Sequence, residues 1–369
     1  MTTSNALHAL VLAGGAGTRF WPASRNLRPK QLLPLVGDAP LLRQTVERVL
    51  PLLSEGGDGW GRVLIATGAH LSAATRAILP ELAAHRFLLE PAARNTAPCI
   101  AWAAATVART DPDAVLMVLP SDHHIVDVER FRATLRAAVD SARRGVITTI
   151  GITPTRPETG FGYIEVEGAC VAGVAQRGLK FVEKPDVARA AAYVSGGRHL
   201  WNAGMFFFRA KDMVAAVQRY LPAIARGLET LDQAASRGEE DRALATVFPA
   251  MPSISIDHGV MDHLPELAVV PGDFGWSDVG SFQAAWELAN KDAHENAAPE
   301  GSVLIDARGN YVLDLRTNAP TERTIAVAGV DHLVVVETDD ALLVTTRERA
   351  QEVKQIVDEL KKRGRPNLV

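Results

Sequence analysis

The chain has 369 residues, 47% of them apolar and 22% charged, with a formal net charge of −4 at pH 7. That length allows a large core and a second, smaller domain, in a composition ordinary for a soluble globular protein. The mildly acidic balance argues against a general nucleic-acid binder, which needs a basic surface.

An apolar run from Ala9 to Ala13 reads as a buried strand and stops at Gly14-Gly15-Ala16-Gly17. Leu41, Leu42, Thr45, Val46, Val49 and Leu50 then recur at helical spacing. Strands are expected at Val63–Ala66, Phe87–Leu89 and Ala114–Leu119, with helices at about 70–79 and 97–109. This alternation is the pattern of a parallel α/β sheet, in which ligands bind beyond the carboxyl ends of the strands. Gly14, Glu90 and Asp122 all fall just past such ends.

From residue 146 the texture changes. Strands at about 146–151, 161–167 and 177–183 have no clear helices between them, which suggests an antiparallel region. Helices are expected at 186–195 and, as one long element, at 210–237. Residues 291–301 read as a polar linker. Short apolar runs near 303–305, 311–313, 324–328, 333–336 and 342–344 suggest a small β domain, closed by a helix over about 347–362. The expected domains are therefore 1–290 and 301–369.

Cys99 and Cys170 give neither a disulfide framework nor a Cys-x-x-Cys metal spacing, and their apolar or small neighbours predict two buried thiols. No secretory signal and no run of bilayer-spanning length is present, so the expected location is cytoplasmic, with no membrane partner.

The glycine loop can take positive φ and let an anion approach backbone N–H groups, and Arg19, Arg25, Arg28 and Lys30 follow it. Two familiar phosphate loops fail here. Thr18-Arg19 stands where the P-loop needs Lys-[Ser/Thr], and Phe20 stands where the dinucleotide fingerprint needs its third glycine. A plain glycine turn with surface arginines remains open. Pro29 stiffens the backbone just before Lys30, which suits a cation held in place.

Gly14-Gly15-Ala16-Gly17-Thr18-Arg19 with Trp21-Pro22 and Pro29-Lys30-Gln31 resembles the signature of the sugar-1-phosphate nucleotidyltransferases. The Phe20-Trp21-Pro22-Ala23-Ser24-Arg25 wording is similar to that of the mannose-1-phosphate guanylyltransferases. The resemblance implies a GT-A-like (Rossmann-like) α/β domain with a mixed sheet, followed by a small β-rich, β-helix-like domain. It also implies that Leu12, Ala13, Gly14, Gly15, Gly17, Thr18 and Ser121 bind nucleotide, with Arg19 and Lys30 on the phosphates.

Two acids could hold a divalent cation. Asp122 ends a buried strand in Leu-Pro-Ser-Asp-His-His, and Asp278 lies in Trp276-Ser277-Asp278-Val279-Gly280-Ser281. Mg²⁺ needs only one or two carboxylates plus phosphate oxygens. Each acid is also an ordinary cap or turn residue. The resemblance implies that the two share one Mg²⁺. Zinc at His123 and His124 is disfavoured, because neighbouring histidines on an extended segment point to opposite sides.

Glu90 could accept from guanine N1–H and the exocyclic amine together, with Arg94, Asn95 and Thr96 as further donors at a helix start. The plainer reading is a polar helix entry capped by Asn95 or Thr96. The resemblance favours base recognition. On the sugar side, Gly162 and Tyr163 lie in a glycine-flanked turn. Glu183 could accept from vicinal hydroxyls and Lys184 could meet the sugar phosphate, unless they form only a surface ion pair. Asn202 can donate and accept. Asp257 lies in Ser-Ile-Asp-His-Gly-Val-Met-Asp-His, where relatives usually read Ser-Ile-Asp-Tyr-Ala-Val-Met-Glu-Lys.

The implied reaction transfers GMP from GTP to α-D-mannose 1-phosphate. The same chemistry on another nucleotide or sugar phosphate, or a non-catalytic regulatory relative, are the alternatives. Bifunctional relatives continue into an isomerase domain, so one activity is expected here. A homodimer through the C-terminal β region is compatible with the pattern.

Overall fold

The computed structural model describes residues 6–15, 17–54, 57–317 and 324–369. Ala16 of the glycine loop lies outside the described residues. By their contacts the residues fall into two compact units, each built from separate stretches of chain. The first comprises Met1–Gly14, Thr45–Ser121 and Ile125–Trp276, and the second Gly15–Gln44, Asp122–His124 and Ser277–Val369.

The first unit is organised by β1 (Leu7–Leu12), whose Ala9, Leu10 and Val11 are wholly buried. Such a continuous apolar run suits a strand covered on both faces, and each buried Leu or Val contributes about 1.5–3 kcal/mol. β1 pairs in parallel with β2 (Val63–Gly68) and with β4 (Val115–Pro120), and β2 pairs in parallel with β3 (Phe87–Glu90). The parallel half of the sheet thus has the expected strands.

The other half is mixed. After the two-residue β5 (His124–Ile125) come β6 (Thr148–Ile152), β7 (Tyr163–Val166), β8 (Gln176–Val182), β9 (His199–Arg209) and β10 (Leu267–Gly272). The strand order is β3-β2-β1-β4-β9-β6-β10-β8-β7, and β7 also pairs with β9. β9 makes that possible through its length. Its second half pairs antiparallel with β4 and its first half with β7, so β9, β6, β10, β8 and β7 return on themselves. Ile164, Val166, Leu200 and Val269 pack together there, all fully buried.

Two expectations are corrected here. The helix expected over 210–237 is two helices, Ala210–Tyr220 and Pro222–Ala235, because Pro222 cannot donate within a continuing helix but suits the first turn of a new one. Cys170 is exposed, beyond Gly168 in the β7–β8 connection, whereas Cys99 is buried in the helix Thr96–Ala108. That helix is buried on nearly every side and joins Leu10, Leu116, Phe206, Met213 and Phe248 in one core.

The second unit combines the segment after the glycine loop with the C-terminal region. After the two-residue β11 (Trp276–Ser277) come β12 (Val303–Ile305), β13 (Tyr311–Asp314), β14 (Ala326–Ala328), β15 (Leu333–Glu337) and β16 (Leu342–Thr346), close to the expected runs. β12–β14 and β13–β15 are parallel, and β15–β16 is antiparallel. Residues 291–301 are hydrogen-bonded, not a free tether. Asp292 accepts from the His294 and Asn296 N–H groups. Buried Asn296 and Asn310 bond each other, and Asn310 also bonds Val330 O and Leu333 N–H, joining successive turns of the β coil. The closing helix begins with a 3-10 segment, Arg347–Glu352, and continues as Val353–Lys362. Among the described residues, no helix is long and apolar enough to cross a membrane.

Candidate functional site

The phosphate-and-metal candidates fall in the second unit. Gly15 and Gly17 both take positive φ, 103° and 57°, as the glycine loop requires. A Cβ on Gly17 would lie 2.9 Å from Lys30 N and 3.0 Å from Lys30 Cβ, so this glycine lets the Lys30 segment approach. The Gly17 carbonyl accepts from Phe20 N–H and from the Ser24 hydroxyl at 2.6 Å, which fixes the loop's exit into the short 3-10 turn Thr18–Phe20. Arg19 on that turn is exposed.

Lys30 is the hub. Its ammonium lies 3.0 Å from Asp122 Oδ2 and donates to Asp278 O at 2.8 Å and Val279 O at 3.1 Å. An ammonium has three donors, so this set uses all of them. Lys30 therefore ties together the two segments that carry the candidate metal acids, which are far apart in sequence. Burial pushes the Asp122 carboxyl up, but Lys30 and then His123 outweigh it and hold it below the usual carboxylate range. Ser277 Oγ accepts from Val279 N–H, and Val279 has φ 44°, so the Asp278 turn is a defined one. By residue type, the acids Asp122 and Asp278, on the two segments that Lys30 joins, fit a hard oxygen-seeking cation such as Mg²⁺, which needs only one or two carboxylates beside phosphate oxygens. Lys30 itself reaches Asp278 through the backbone carbonyl.

The base and sugar candidates fall in the first unit, Glu90 at the carboxyl end of its strand and Gly162 and Tyr163 at the start of β7. Glu183 and Lys184 lie just past β8, Asn202 within β9 and Asp257 on the short helix Ile256–Gly259. Leu12 O accepts from both Ser121 N–H and Ser121 Oγ, and Ala13 N–H donates to Ala66 O, so β1, β2 and β4 are laced together where they end. Gly14 follows, exposed. Glu90, the last residue of β3, is half-buried, and burial raises its carboxyl from 4.5 to about 7. The neighbouring polar residues have structural partners. Asn95, at φ 62°, caps the helix Thr96–Ala108 with its side-chain oxygen on Thr96 N–H. Thr96 Oγ1 accepts from Ile256 N–H, and Arg94 Nε donates to Pro249 O. The helix-entry reading of Arg94, Asn95 and Thr96 is thus realised, and Glu90 is the acid at the end of that loop.

On the sugar side four separate segments converge. A Cβ on Gly162 would lie 2.6 Å from Glu183 Oε2 and 3.0 Å from the Phe181 ring, so glycine is needed there for Glu183 to sit where it does. Asn202 N–H donates to Gly162 O, and Asn202 Nδ2 donates to Asp257 Oδ1 at 2.9 Å. Burial, reinforced by Glu183, raises the Asp257 carboxyl to about 6. Lys184 pairs with Glu183 Oε1 at 2.6 Å and takes φ 45°. Tyr163 differs from what its polar tip suggests. Its ring is wholly buried and its hydroxyl donates to Glu158 O, so only its backbone is available to a ligand.

Sequence reading missed Thr149, whose hydroxyl lies 3.0 Å from Asn202 Oδ1 and 2.8 Å from Met205 O, while Gly204 N–H donating to Oδ1 and Nδ2 donating to Asp257 fix which way that amide points. The signal was a fully buried Thr148-Thr149 pair opening an otherwise apolar strand. At the departures from the familiar wording, His258 Nδ1 lies 3.0 Å from Asp262 Oδ2, and the His263 ring stacks on Tyr220.

A nucleotidyl transferase family model matches residues 8–295, and a "MannoseP isomerase/GMP-like beta-helix domain" model matches 302–360. The chain belongs to the nucleotidyl transferase family. It is 39% identical over 358 residues to the xanthan biosynthesis protein XanB of Xanthomonas campestris pv. campestris (strain B100), covering 96% of this chain and 73% of that one. It is 38% identical over 371 residues to a mannose-1-phosphate guanylyltransferase of Escherichia coli (strain K12), covering 97% and 74%. A Thermus thermophilus structure, described as a mannose-1-phosphate geranyltransferase, superposes with a TM-score of 0.82 at 35% identity, covering 96% and 99%. The enzyme is thus a nucleotidyltransferase of the kind the sequence resembles, with a mixed-sheet catalytic fold and a β-rich C-terminal region.

Proposed function

We propose that this enzyme transfers GMP from GTP to α-D-mannose 1-phosphate, giving GDP-mannose and pyrophosphate. A sugar-phosphate oxygen attacks the α-phosphorus, the new P–O bond forms, and the bond to the leaving pyrophosphate breaks with its electrons. The nucleophile arrives ionised, so no serine, cysteine or general base is needed. Catalysis is positioning and charge neutralisation.

In this reading the glycine loop, Thr18 and Arg19 hold the phosphates, and Lys30, whose donors go to Asp122, Asp278 O and Val279 O, lends them its positive charge. Asp122 and Asp278 would hold Mg²⁺, which supplies positive charge to the phosphate oxygens. Glu90 accepts from the guanine edge. Gly162, Glu183, Lys184, Asn202 and Asp257 hold the mannose phosphate, with Tyr163 contributing backbone only. The domain division at 1–290 and 301–369 belongs to the same proposal.

The observation that carries the reading is the Lys30 hub, which brings a cation to both candidate metal-binding segments. The test is pyrophosphate release from GTP with mannose 1-phosphate and Mg²⁺, beside ATP, UTP and glucose 1-phosphate. Release confined to GTP and mannose 1-phosphate is expected. Release with a different pair overturns the specificity and keeps the mechanism, and no release from folded protein overturns the mechanism.

A further inference from the structure

The signature segment is fastened to the C-terminal region, which the chemistry above does not use. Trp21, 7% exposed, donates its indole N–H to Leu368 O at 2.7 Å. Asn26 N–H donates to Val369 O at 3.2 Å. Arg25 lies over the Trp21 ring and reaches Asp340 Oδ1, in the β15–β16 turn, at 2.7 Å. Tyr311 donates its hydroxyl to Leu35 O. Phe20, Trp21 and Leu33 share one apolar cluster with Val334, Leu343, Val353 and Val357.

These ties lead to the loop by short steps. Trp21 follows Phe20, whose N–H donates to Gly17 O, and the Ser24 hydroxyl bonds the same carbonyl. Gly17 is the residue against which Lys30 packs. We propose that the C-terminal region, its β strands together with the terminal turn Pro366–Leu368, is a brace for the phosphate-binding loop, and that Trp21 is its positioning residue, setting where Gly17 and Lys30 stand through its bond to Leu368 O. The kinetic meaning of this brace rests on the proposed function; its mechanical meaning does not.

The test uses the full chain with Trp21→Phe, which keeps an aromatic ring while removing the donor and the rest of the indole's five-membered ring, and Trp21→Phe combined with Asp340→Ala. Trp286→Phe is the control, because it removes a similar indole bond, to Glu295 O at 2.9 Å, that does not tie down the loop. Leaving a buried carbonyl without its donor costs enough to loosen a segment about tenfold. Amide hydrogen exchange over residues 17–33 should rise about tenfold in Trp21→Phe and further in the double variant, with residues 96–108 unchanged. Kinetically, kcat or the KM for GTP should worsen about tenfold while the KM for mannose 1-phosphate holds, a split that a general loss of stability does not produce. Wild-type exchange over 17–33 in Trp21→Phe, or equal loosening in Trp286→Phe, overturns the brace. A wild-type enzyme inactive with every substrate pair overturns the proposed function instead, and the exchange measurement still decides the brace.

Discussion

The two units treat their carboxylates in opposite ways. In the first, Glu90 and Asp257 are buried with too little positive charge nearby, and their carboxyls rise to about 7 and about 6. In the second, Asp122 is also pressed upward by burial, but Lys30 at 3.0 Å reverses the sign. Burial penalises charge, and a fixed cation at contact distance compensates it. The first arrangement leaves acids that hold a proton readily and that a ligand's N–H and O–H donors would help to ionise. The second suits an acid that must stay ionised to hold a cation, which in turn meets phosphate charge.

The comparison breaks first at Lys30. Lys30→Ala removes the cation from Asp122 and from the Asp278 turn at once, so turnover should fall about 100- to 1,000-fold. The fold should persist, because both segments keep their own capping and backbone bonds. Pyrophosphate release measured beside circular dichroism checks this, and wild-type rates in the variant remove Lys30 from the mechanism.

A smaller effect is expected in the first unit. In Gly162→Ala the new Cβ meets Glu183 Oε2 and the Phe181 ring, and overpacking of that kind costs about 1–3 kcal/mol. Saturation curves should show the KM for mannose 1-phosphate raised about tenfold or more and the KM for GTP unchanged. Equal effects on both would show that the glycine does not serve the sugar side.

Glu90 sharpens the electrostatic half of the contrast. A carboxylate that accepts from guanine must be ionised, and below its value of about 7 the ionised fraction falls about tenfold per pH unit. The KM for GTP should therefore fall as pH rises from 6 to 8, and Glu90→Gln should flatten the profile. For stability the sign is the opposite. A raised carboxyl favours the fold fully below its unfolded value of 4.5, and that contribution is lost as pH rises through about 7.

Much of this was legible in the chain because the signals were local. β1, β2, β4 and the five C-terminal strands are short apolar runs bounded by turn residues. The long β9 was not read at all, since His199–Arg209 interrupts its apolar side chains with Asn202 and Gly204 and its pairing partners are all distant in sequence. The helix Glu240–Ala250 was missed for a related reason, as its periodicity ends at an internal Pro249. At the site, glycines and acids could be picked out by type and position. Their partners could not, because Lys30 meets carbonyls 248 and 249 residues away, and nothing local in Tyr163 says that its ring belongs to the core.

The smallest effect tests whether the first unit is dry in general or only around its acids. His8, near the start of β1 and remote in the strand from Leu12, is lowered from 6.5 to about 4, first by burial and then by Arg86 and Arg62. The physics that raises Glu90 lowers a base, because in both cases the charged form is the one disfavoured. Above pH 6.5 His8 is neutral folded or unfolded and costs nothing. Between 6.5 and about 4 the unfolded chain binds a proton that the folded one does not, so stability falls by at most roughly 1.4 kcal/mol per pH unit from this group. Urea melts of wild type and His8→Gln across that window should therefore converge as pH falls, with the variant less stable at pH 7 and closing the gap by pH 5. Parallel curves would mean that His8 takes up its proton without penalty, and that the desolvation is confined to the surroundings of Glu90 and of Asp257.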